Sequence, residues 1–285
     1  MKFGVHAYLW CSEWSNKTLS LIDHCKEMGL DFLEIPLLRL DLVDPVAIRK
    51  RLTEVRLGVC CNTTLNARTD LTSGDSTIRK QGVKYLKDCV DTCAEMGSKL
   101  LTGVIYSKIG KKPTAPPTDQ EWQWSADGLR EVSDYALDKG VTLGIEPVNR
   151  DETYLINTVE QALRLKELIG RPNVKVHLDT YHMNIEEKDF YKVTKMAAGQ
   201  FCHIHAAEND RGIPGTGLVD WDGLFHALAE QSYAGLMGLE SFIEVSENMR
   251  AATCVWRQLA PGADTLVTEG LKFLKSMEKK WFLKK

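Results

Sequence analysis

Residues 120–146 read QEWQWSADGLREVSDYALDKGVTLGIE, and this stretch contains the unit that decides the fold. Apolar residues recur with helical spacing from Gln120 to Lys139, which predicts a helix. Gly140 follows as a left-handed helix stop, and Thr142 to Glu146 form a short apolar run typical of a buried strand. The order of helix, glycine and strand is therefore a pattern that the rest of the chain can be compared with.

The same unit recurs along the whole sequence. Eight apolar runs predict strands at Phe3 to Tyr8, Phe32 to Ile35, Leu57 to Asn62, Lys99 to Val104, Thr142 to Glu146, Val174 to Asp179, Phe201 to His205 and Leu236 to Glu240. Further helices are predicted at Thr18 to Met28, Val46 to Val55, Thr77 to Met96, Thr158 to Ile169 and Trp221 to Glu230, with stops at Gly29, Gly97 and Gly170.

Eight strands that alternate with helices predict an α/β protein, a (β/α)8 TIM barrel with a parallel eight-stranded barrel, and residues 1–285 as a single domain. A doubly wound sheet would usually stop at about five or six strands and begin with a glycine-rich phosphate loop. Longer connections are predicted after strands four and seven, at Tyr106 to Asp119 and Asp210 to Val219. Both would lie on the C-terminal face, which is the active face of such barrels.

Composition excludes several classes of function. The 36 basic and 39 acidic residues give a net charge of −3, so no nucleic-acid partner is expected. No apolar segment reaches the ~18 residues of a membrane span. Residues Met1 to Val5 enter a strand-like pattern at once, without a leader, so a cytoplasmic protein is predicted. The eight cysteines are dispersed and mostly in apolar surroundings, as at Cys60, Cys202 and Cys254, which predicts buried free thiols.

Residues that commonly bind metals close four consecutive predicted strands: Glu146, Asp179, His205 and Glu240. Side chains at the strand ends of a closed barrel point toward the common axis, so these four are expected to converge. Three carboxylates and one imidazole suit Mn²⁺, Mg²⁺ or Co²⁺ better than structural zinc. The pattern therefore predicts one divalent metal site at the C-terminal mouth.

A metal with these ligands would keep two positions open for O2 and O3 of a 2-keto sugar and stabilise the enediolate formed when the C3 proton leaves. Inversion at C3 needs one base on each face of the carbon. Glu146 and Glu240 end strands five and eight, about 135° apart around the axis, so they can serve both faces or act only as ligands. A two-base epimerisation is the predicted reaction.

The residues that carry chemistry resemble the ketose 3-epimerases, typified by D-tagatose 3-epimerase and D-allulose (psicose) 3-epimerase, within the xylose-isomerase-like TIM barrels. The resemblance runs through Trp10, Glu13-Trp14, Glu146-Pro-Val-Asn-Arg-Asp-Glu152, Leu178-Asp-Thr-Tyr-His182, His203-Ile-His-Ala-Ala-Glu-Asn-Asp-Arg211 and Gly238-Leu-Glu-Ser-Phe242. It implies C3 epimerisation of free ketoses, such as D-fructose and D-allulose or D-tagatose and D-sorbose. It also implies a homodimer or homotetramer.

The resemblance further implies roles for particular side chains. Glu146, Asp179, His205 and Glu240 would bind one divalent metal ion per subunit, most simply Mn²⁺, with Co²⁺ or Mg²⁺ as alternatives, and Glu146 and Glu240 would form the acid/base pair. Glu152, His182 and Arg211 would hold the O1 and O2 end of the ketose. These types fit, because a carboxylate accepts from hydroxyls, whereas imidazole and guanidinium donate to sugar oxygens.

The sequence leaves the roles of His6 and Trp14 and the exact reaction open. His6 stands where several family members carry an aromatic residue, and it either contacts the substrate or lies satisfied in the barrel mouth. Trp14 forms an apolar wall for the sugar or packs within its loop. The nearest alternatives are a sugar isomerase or dehydratase on the same scaffold, similar to hydroxypyruvate isomerase or inosose dehydratase. An abasic-site endonuclease needs several metals and a basic face, which the net charge of −3 does not favour.

Overall fold

The computed structural model describes residues 1–282, so the last three residues of the predicted domain lie outside the described part. One closed barrel is formed by β1 to β8 in sequence order, and the paired strands are parallel throughout. This arrangement confirms the predicted (β/α)8 fold. The strands are β1 (Lys2–His6), β2 (Phe32–Pro36), β3 (Gly58–Leu65), β4 (Leu100–Lys108), β5 (Thr142–Ile145), β6 (Val174–Asp179), β7 (Phe201–Ala206) and β8 (Leu236–Leu239).

Helices follow the strands and cover the barrel. They are α1 (Leu21–Glu27), α2 (Pro45–Val55), α3 (Ser76–Met96), α4 (Asp119–Asp138), α5 (Val159–Ile169), α6 (Thr180–Glu186), α7 (Phe190–Met196), α8 (Trp221–Glu230), α9 (Glu247–Thr253) and α10 (Ala263–Phe282). The predicted glycine stops are confirmed, since Gly29, Gly97, Gly140 and Gly170 have φ values of 76°, 92°, 68° and 64°.

Several boundaries differ from the sequence prediction. β1 ends at His6 because residues 7–9 form a 3₁₀ turn, whereas β4 continues to Lys108 after an irregularity in its pairing with β3. β5 and β8 end one residue before Glu146 and Glu240, so these glutamates open the following loops instead of closing strands. Helices α6, α7 and α9 were not among the predicted elements.

The interior of the barrel changes character along its axis. Phe32, Cys60 and Leu100 form a small apolar cluster, separate from the main core between strands and helices. Two residues further along their strands, Glu34 and Thr102 are also fully buried, and both make hydrogen bonds to buried histidines. Side chains alternate between the two faces of a strand, so residues two positions apart both point into the barrel. β2 and β4 therefore supply apolar filling first and polar groups nearer the C-terminal mouth.

Close packing between β3 and β4 depends on Gly103. Its φ is 115°, and a Cβ atom placed there would lie 2.3 Å from the backbone oxygen of Thr63. Any other residue would therefore be strained and would collide with the neighbouring strand. This glycine allows the backbone of β4 to approach β3 beside the cavity described below.

Asp70 connects the β3–α3 loop to the end of β4. Its carboxylate accepts hydrogen bonds from the backbone N–H of Thr72 and of Lys108, each at 3.0 Å, and lies 3.1 Å from Nζ of Lys111. Burial alone would raise the pKa of Asp70, but these hydrogen bonds outweigh it and hold the pKa below the usual value.

The cysteines are free, as predicted, although not all are buried. Cys60 and Cys61 are fully buried, Cys202 is half-buried and Cys254, just after α9, is exposed. Within residues 1–282, no helix combines the length and apolar character needed to cross a membrane.

Candidate active site

The four residues predicted to bind a metal converge at the C-terminal mouth. Nδ1 of His205 lies 3.4 Å from Oε1 of Glu146, 3.5 Å from Oδ2 of Asp179 and 3.5 Å from Oε1 of Glu240. All four side chains are buried, with at most 6% of any residue exposed. Parallel strands place their carboxyl ends at one rim, which is why residues distant in sequence meet here.

The donor set fits a divalent cation. Nδ1 of His205 is buried and has no hydrogen-bond partner among residues 1–282, although three carboxylates surround it. Ligand atoms of Glu146, Asp179 and His205 all lie within 4.8 Å of one another. Buried like charges at this spacing repel one another unless protons or a cation lie between them. An oxygen-rich set with one imidazole suits Mn²⁺, Co²⁺ or Mg²⁺.

The pKa values of the cluster show the same need for positive charge. Burial raises the pKa of Glu146 to about 8, and the nearby Glu240 and Asp179 add to the shift against the opposing effect of His205. Burial would lower the pKa of His205, but Glu34 and Glu240 outweigh it and raise the pKa well above the usual value. Without a metal, the cluster therefore retains protons that a bound cation would displace.

Asp179 serves two elements at once. Its Oδ1 accepts from the backbone N–H of Tyr181 at 2.7 Å and of His182 at 3.2 Å, and so caps helix α6. Its Oδ2 faces His205 and lies 3.5 Å from Nη1 of Arg211. Burial would raise the pKa of Asp179, but the neighbouring His182 and Arg211 outweigh it and lower the pKa. The cap thus fixes His182 relative to the proposed ligands.

Arg211 closes one side of the cluster from the β7–α8 loop. Its Nη1 contacts Oε2 of Glu240, and its guanidinium lies over the ring of Tyr181 at 3.9 Å. The backbone has a φ of 66°, and its carbonyl oxygen accepts from Oγ of Ser241 at 2.6 Å. These contacts fix a buried guanidinium beside Glu240.

Glu208 holds the loop that carries Arg211. Its fully buried carboxylate accepts from the backbone N–H groups of Asn209, Gly215 and Val219 and from Nε1 of Trp221, at 2.8–3.0 Å. A carboxylate with two donors on each oxygen satisfies most of its hydrogen-bonding capacity. Glu208 therefore holds the β7–α8 loop in place near both of its ends.

Asn149 positions two of the predicted substrate-binding side chains. Its backbone N–H donates to Nδ1 of His182 at 3.1 Å, and its Nδ2 donates to Oε1 of Glu152 at 3.0 Å. The amide orientation is fixed because its Oδ1 accepts from the backbone N–H of Asp151 at 2.9 Å. Burial lowers the pKa of His182, and because Nδ1 accepts from Asn149, Nε2 is the nitrogen that carries the ring proton.

A polar layer lies directly beneath the cluster. Oε2 of Glu34 is 2.7 Å from Nε2 of His203 and 2.9 Å from Nε2 of His205, and Nδ1 of His177 is 2.8 Å from Oγ1 of Thr102. Sequence reasoning missed Glu34, His177 and Asn149 as members of the site. For Glu34 and His177 the sequence held a weak signal, because each is a polar residue at a strand position where an apolar interior residue is expected.

A cavity of about 480 Å³ opens above the cluster, within the usual range for small-molecule sites. Glu146, Glu152, His182, Arg211 and Glu240 line it. Other parts of its wall come from residues that the sequence did not indicate, namely Tyr8, Leu38, Asn62, Thr64, Phe242 and Met249.

His6 and Trp14 are not in the cavity wall. His6 is fully buried, with Nδ1 accepting from the backbone N–H of Tyr8 at 3.0 Å and Nε2 lying 2.7 Å from the side-chain amide of Asn62. Trp14 is 1% exposed and packs in the main core. Of the two interpretations open for each residue, the structure favours the satisfied histidine and the packed tryptophan.

The chain is similar to known proteins over most of its length. The family described as xylose isomerase-like TIM barrel matches residues 22–277. L-ribulose 3-epimerase of Methylomonas sp. (strain DH-1) is 35% identical over 278 residues, which cover 96% of this chain and 97% of that protein. Ketose 3-epimerase of Arthrobacter globiformis is 34% identical over 288 residues, which cover 98% of this chain and 99% of that protein. The crystal structure of D-allulose 3-epimerase from Methylomonas sp. in complex with D-allulose has a TM-score of 0.93 at 35% identity and covers 97% of both chains.

Proposed function

Because the chain belongs to the xylose isomerase-like TIM barrel family and to the ketose 3-epimerases within it, we propose that it inverts C3 of free ketoses with one bound divalent metal ion. The observation that carries this proposal is the group of three carboxylates around Nδ1 of His205 at the base of the cavity. Two of the three are glutamates that follow β5 and β8.

In this proposal Glu146, Asp179, His205 and Glu240 hold the metal ion. Mn²⁺ is our first choice, with Co²⁺ or Mg²⁺ as alternatives, because the donor set is rich in oxygen. When bound, the ion would supply positive charge that stabilises the enediolate formed by loss of the C3 proton. Metal binding would displace the protons held by Glu146 and His205 and leave both side chains free to serve as ligands.

The two glutamates divide the proton transfer between them. β5 and β8 are three steps apart around the barrel, about 135°, so Glu146 and Glu240 can reach opposite faces of one carbon. One carboxylate takes the proton from C3, while the other, which has taken up a proton from solvent, gives that proton to the opposite face. Proton exchange with water then restores both glutamates. Positioned acids and bases of this kind typically contribute about 10²- to 10⁴-fold.

The substrate end is assigned by the family resemblance and by hydrogen-bonding capacity. Nε2–H of His182 and the guanidinium of Arg211 donate to the O1 and O2 end of the ketose, and Glu152 accepts from a hydroxyl. Asn62 lines the cavity and contacts His6, so we assign to His6 the placement of that amide instead of direct contact with the sugar.

The charge of the cavity supports a free sugar as substrate. Glu146, Asp151, Glu152 and Glu240 line it, and Arg211 is paired with Glu240. A sugar phosphate would meet repulsion with no unpaired cation in the described wall. Candidate pairs are D-fructose with D-allulose, D-tagatose with D-sorbose, and L-ribulose, which the Methylomonas relative is named for, with L-xylulose.

Solvent exchange tests the reaction directly. Purified protein with Mn²⁺ is incubated with each ketose in D₂O, and the products and deuterated positions are determined by NMR. We expect interconversion of C3 epimers with deuterium only at C3. Aldose formation with exchange at C1, or loss of water, would instead establish the isomerase or dehydratase alternative.

Glu240→Gln tests the acid/base assignment, because glutamine keeps the size of the side chain but cannot take up the proton. We expect sugar binding to persist and turnover to fall about 10²- to 10⁴-fold. Glu244→Gln is the matched control, since Glu244 is exposed and not part of the cavity wall. Normal turnover by the Glu240 variant would refute the assignment.

We also propose that residues 1–285 act as one domain in a cytoplasmic homodimer or homotetramer. The two ends of the described chain are joined by an ion pair at 2.5 Å between the N-terminal ammonium and Glu278, which supports a single folding unit. Light scattering coupled to size-exclusion chromatography measures the oligomeric state.

A further inference from the structure

Glu34 of β2 is a fully buried carboxylate that reaches across the barrel to β7. Its Oε2 lies 2.7 Å from Nε2 of His203 and 2.9 Å from Nε2 of His205. Its other oxygen, Oε1, is buried and finds no hydrogen-bond partner in the described part of the chain. Both hydrogen bonds of this carboxylate are therefore made by one atom to the two histidines of β7.

These contacts determine which nitrogen of His205 faces the cluster. An ionised carboxylate only accepts hydrogen bonds, so Nε2 of His205 must carry a proton. Nδ1, on the opposite side of the ring, is the nitrogen directed at Glu146, Asp179 and Glu240. The bond to Glu34 thus sets both the direction of the ring and the nitrogen that is available to a cation.

A purely structural role explains the contacts but not the charge. The side-chain carbonyl of a glutamine has the same reach and can accept a hydrogen bond from an imidazole. Burying an ionised carboxylate is unfavourable even after the protein relaxes. The negative charge of Glu34 becomes favourable when a cation lies at Nδ1 of His205, because the Nε2–H bond of His205 is then polarised toward Glu34.

We propose that Glu34 is a positioning residue of the metal site, which holds His205 with Nδ1 toward the ion and strengthens it as a ligand. This inference rests on the proposed function, since it requires a divalent cation at the cluster. Glu34 itself touches neither the cation nor the sugar. Its effect should therefore appear first in metal binding and only through metal binding in turnover.

Glu34→Gln removes the charge and keeps the length of the side chain. The amide oxygen can take the place of Oε2 and accept from both imidazoles, so the variant removes the negative charge and keeps the contacts. Changing such an outer partner of a metal ligand typically weakens metal binding about 10- to 100-fold, and we expect that loss for Mn²⁺ in isothermal titration calorimetry of the metal-free protein. The visible absorption bands of bound Co²⁺ should also move relative to the wild type.

His203→Gln is the matched control. It changes the other partner of the same Glu34 oxygen to a residue that still donates a hydrogen bond, and it leaves the contact between Glu34 and His205 intact. We expect Mn²⁺ affinity and the Co²⁺ spectrum to stay close to the wild type. If Glu34 only neutralises a buried polar layer, both variants will lower the melting temperature of the metal-free protein and neither will change metal affinity.

The outcomes distinguish the proposed function from the role of Glu34. Wild-type protein that binds no divalent ion overturns the proposed function and the role of Glu34 together. Tight binding by the wild type with equal affinity in Glu34→Gln overturns the role of Glu34 alone. Should Glu34→Gln fail to fold, Glu34→Asp keeps the charge but withdraws the oxygen from His205, and unchanged Mn²⁺ affinity in that variant also overturns the inference.

Discussion

Replacing Asn149 by Asp should weaken catalysis by disturbing two substrate-binding side chains that Asn149 positions. In the wild type, Nδ2 of Asn149 donates to Oε1 of Glu152 at 3.0 Å and lies 3.0 Å from Nδ1 of His182. Aspartate replaces this donor by an acceptor of negative charge. The new carboxylate repels Glu152. It also faces Nδ1 of His182, which carries no proton that it could donate to the carboxylate.

The magnitude follows from the bond that is lost. A hydrogen bond to a charged group contributes about 1.5–3 kcal/mol. If the whole loss appears in the transition state, kcat/KM falls about 10- to 150-fold. Repulsion between the introduced carboxylate and Glu152 should place the effect toward the upper end. Asn149→Ala removes the donor without adding charge, so its loss should be smaller.

The assay is the initial rate of ketose epimerisation over a range of substrate concentrations, together with thermal unfolding of each variant. Asn173→Asp is the matched control, because Asn173 is also buried and its Nδ2 donates to the backbone oxygens of Ser133 and Val141 away from the cavity. We expect that control to lose stability but to keep its kcat/KM at about 25 °C. Equal kcat/KM in Asn149→Asp and the wild type would refute the reasoning.

Three further predictions concern stability. Gly103→Ala should destabilise the fold by about 2–6 kcal/mol in urea unfolding, through backbone strain and collision with Thr63. Glu208→Gln should leave two buried N–H donors unsatisfied, which lowers the free energy of unfolding by about 1–3 kcal/mol for each. We expect faster hydrogen exchange in the β7–α8 loop and a higher KM, because this loop carries Arg211. Because the pKa of Asp70 is lowered in the folded protein, its ionised carboxylate stabilises the fold above about pH 4, and this contribution is lost as the pH falls further. The difference in free energy of unfolding between wild type and Asp70→Asn should therefore narrow below about pH 4.

Each stability prediction has a control or a contradicting result. Gly74→Ala should be nearly neutral, since a Cβ atom at Gly74 meets nothing within 4 Å. Unchanged exchange of the loop in Glu208→Gln would show that its four hydrogen bonds do not hold it. A stability difference between wild type and Asp70→Asn that stays constant from about pH 6 to about pH 3 would contradict the lowered pKa.

Local pattern was sufficient for the architecture of this protein. The alternation of helix, glycine and apolar run identified eight strands, and all eight appear in the barrel. The left-handed conformation of Gly29, Gly97, Gly140 and Gly170 follows from the same local signals. The convergence of Glu146, Asp179, His205 and Glu240 could also be anticipated, because a closed parallel barrel brings all strand ends to one rim. These features depend on short-range periodicity and one topological rule.

The contacts across the barrel were decided only by the tertiary structure. The bonds from Glu34 to His203 and His205 and the contact of Asn149 with His182 join residues that no local period relates. Whether His6 faces the sugar or a neighbouring amide depends on strand register and side-chain rotamer. Periodicity along one strand determines which face a residue occupies, but the partner that it meets is set by the stagger and closure of all eight strands together.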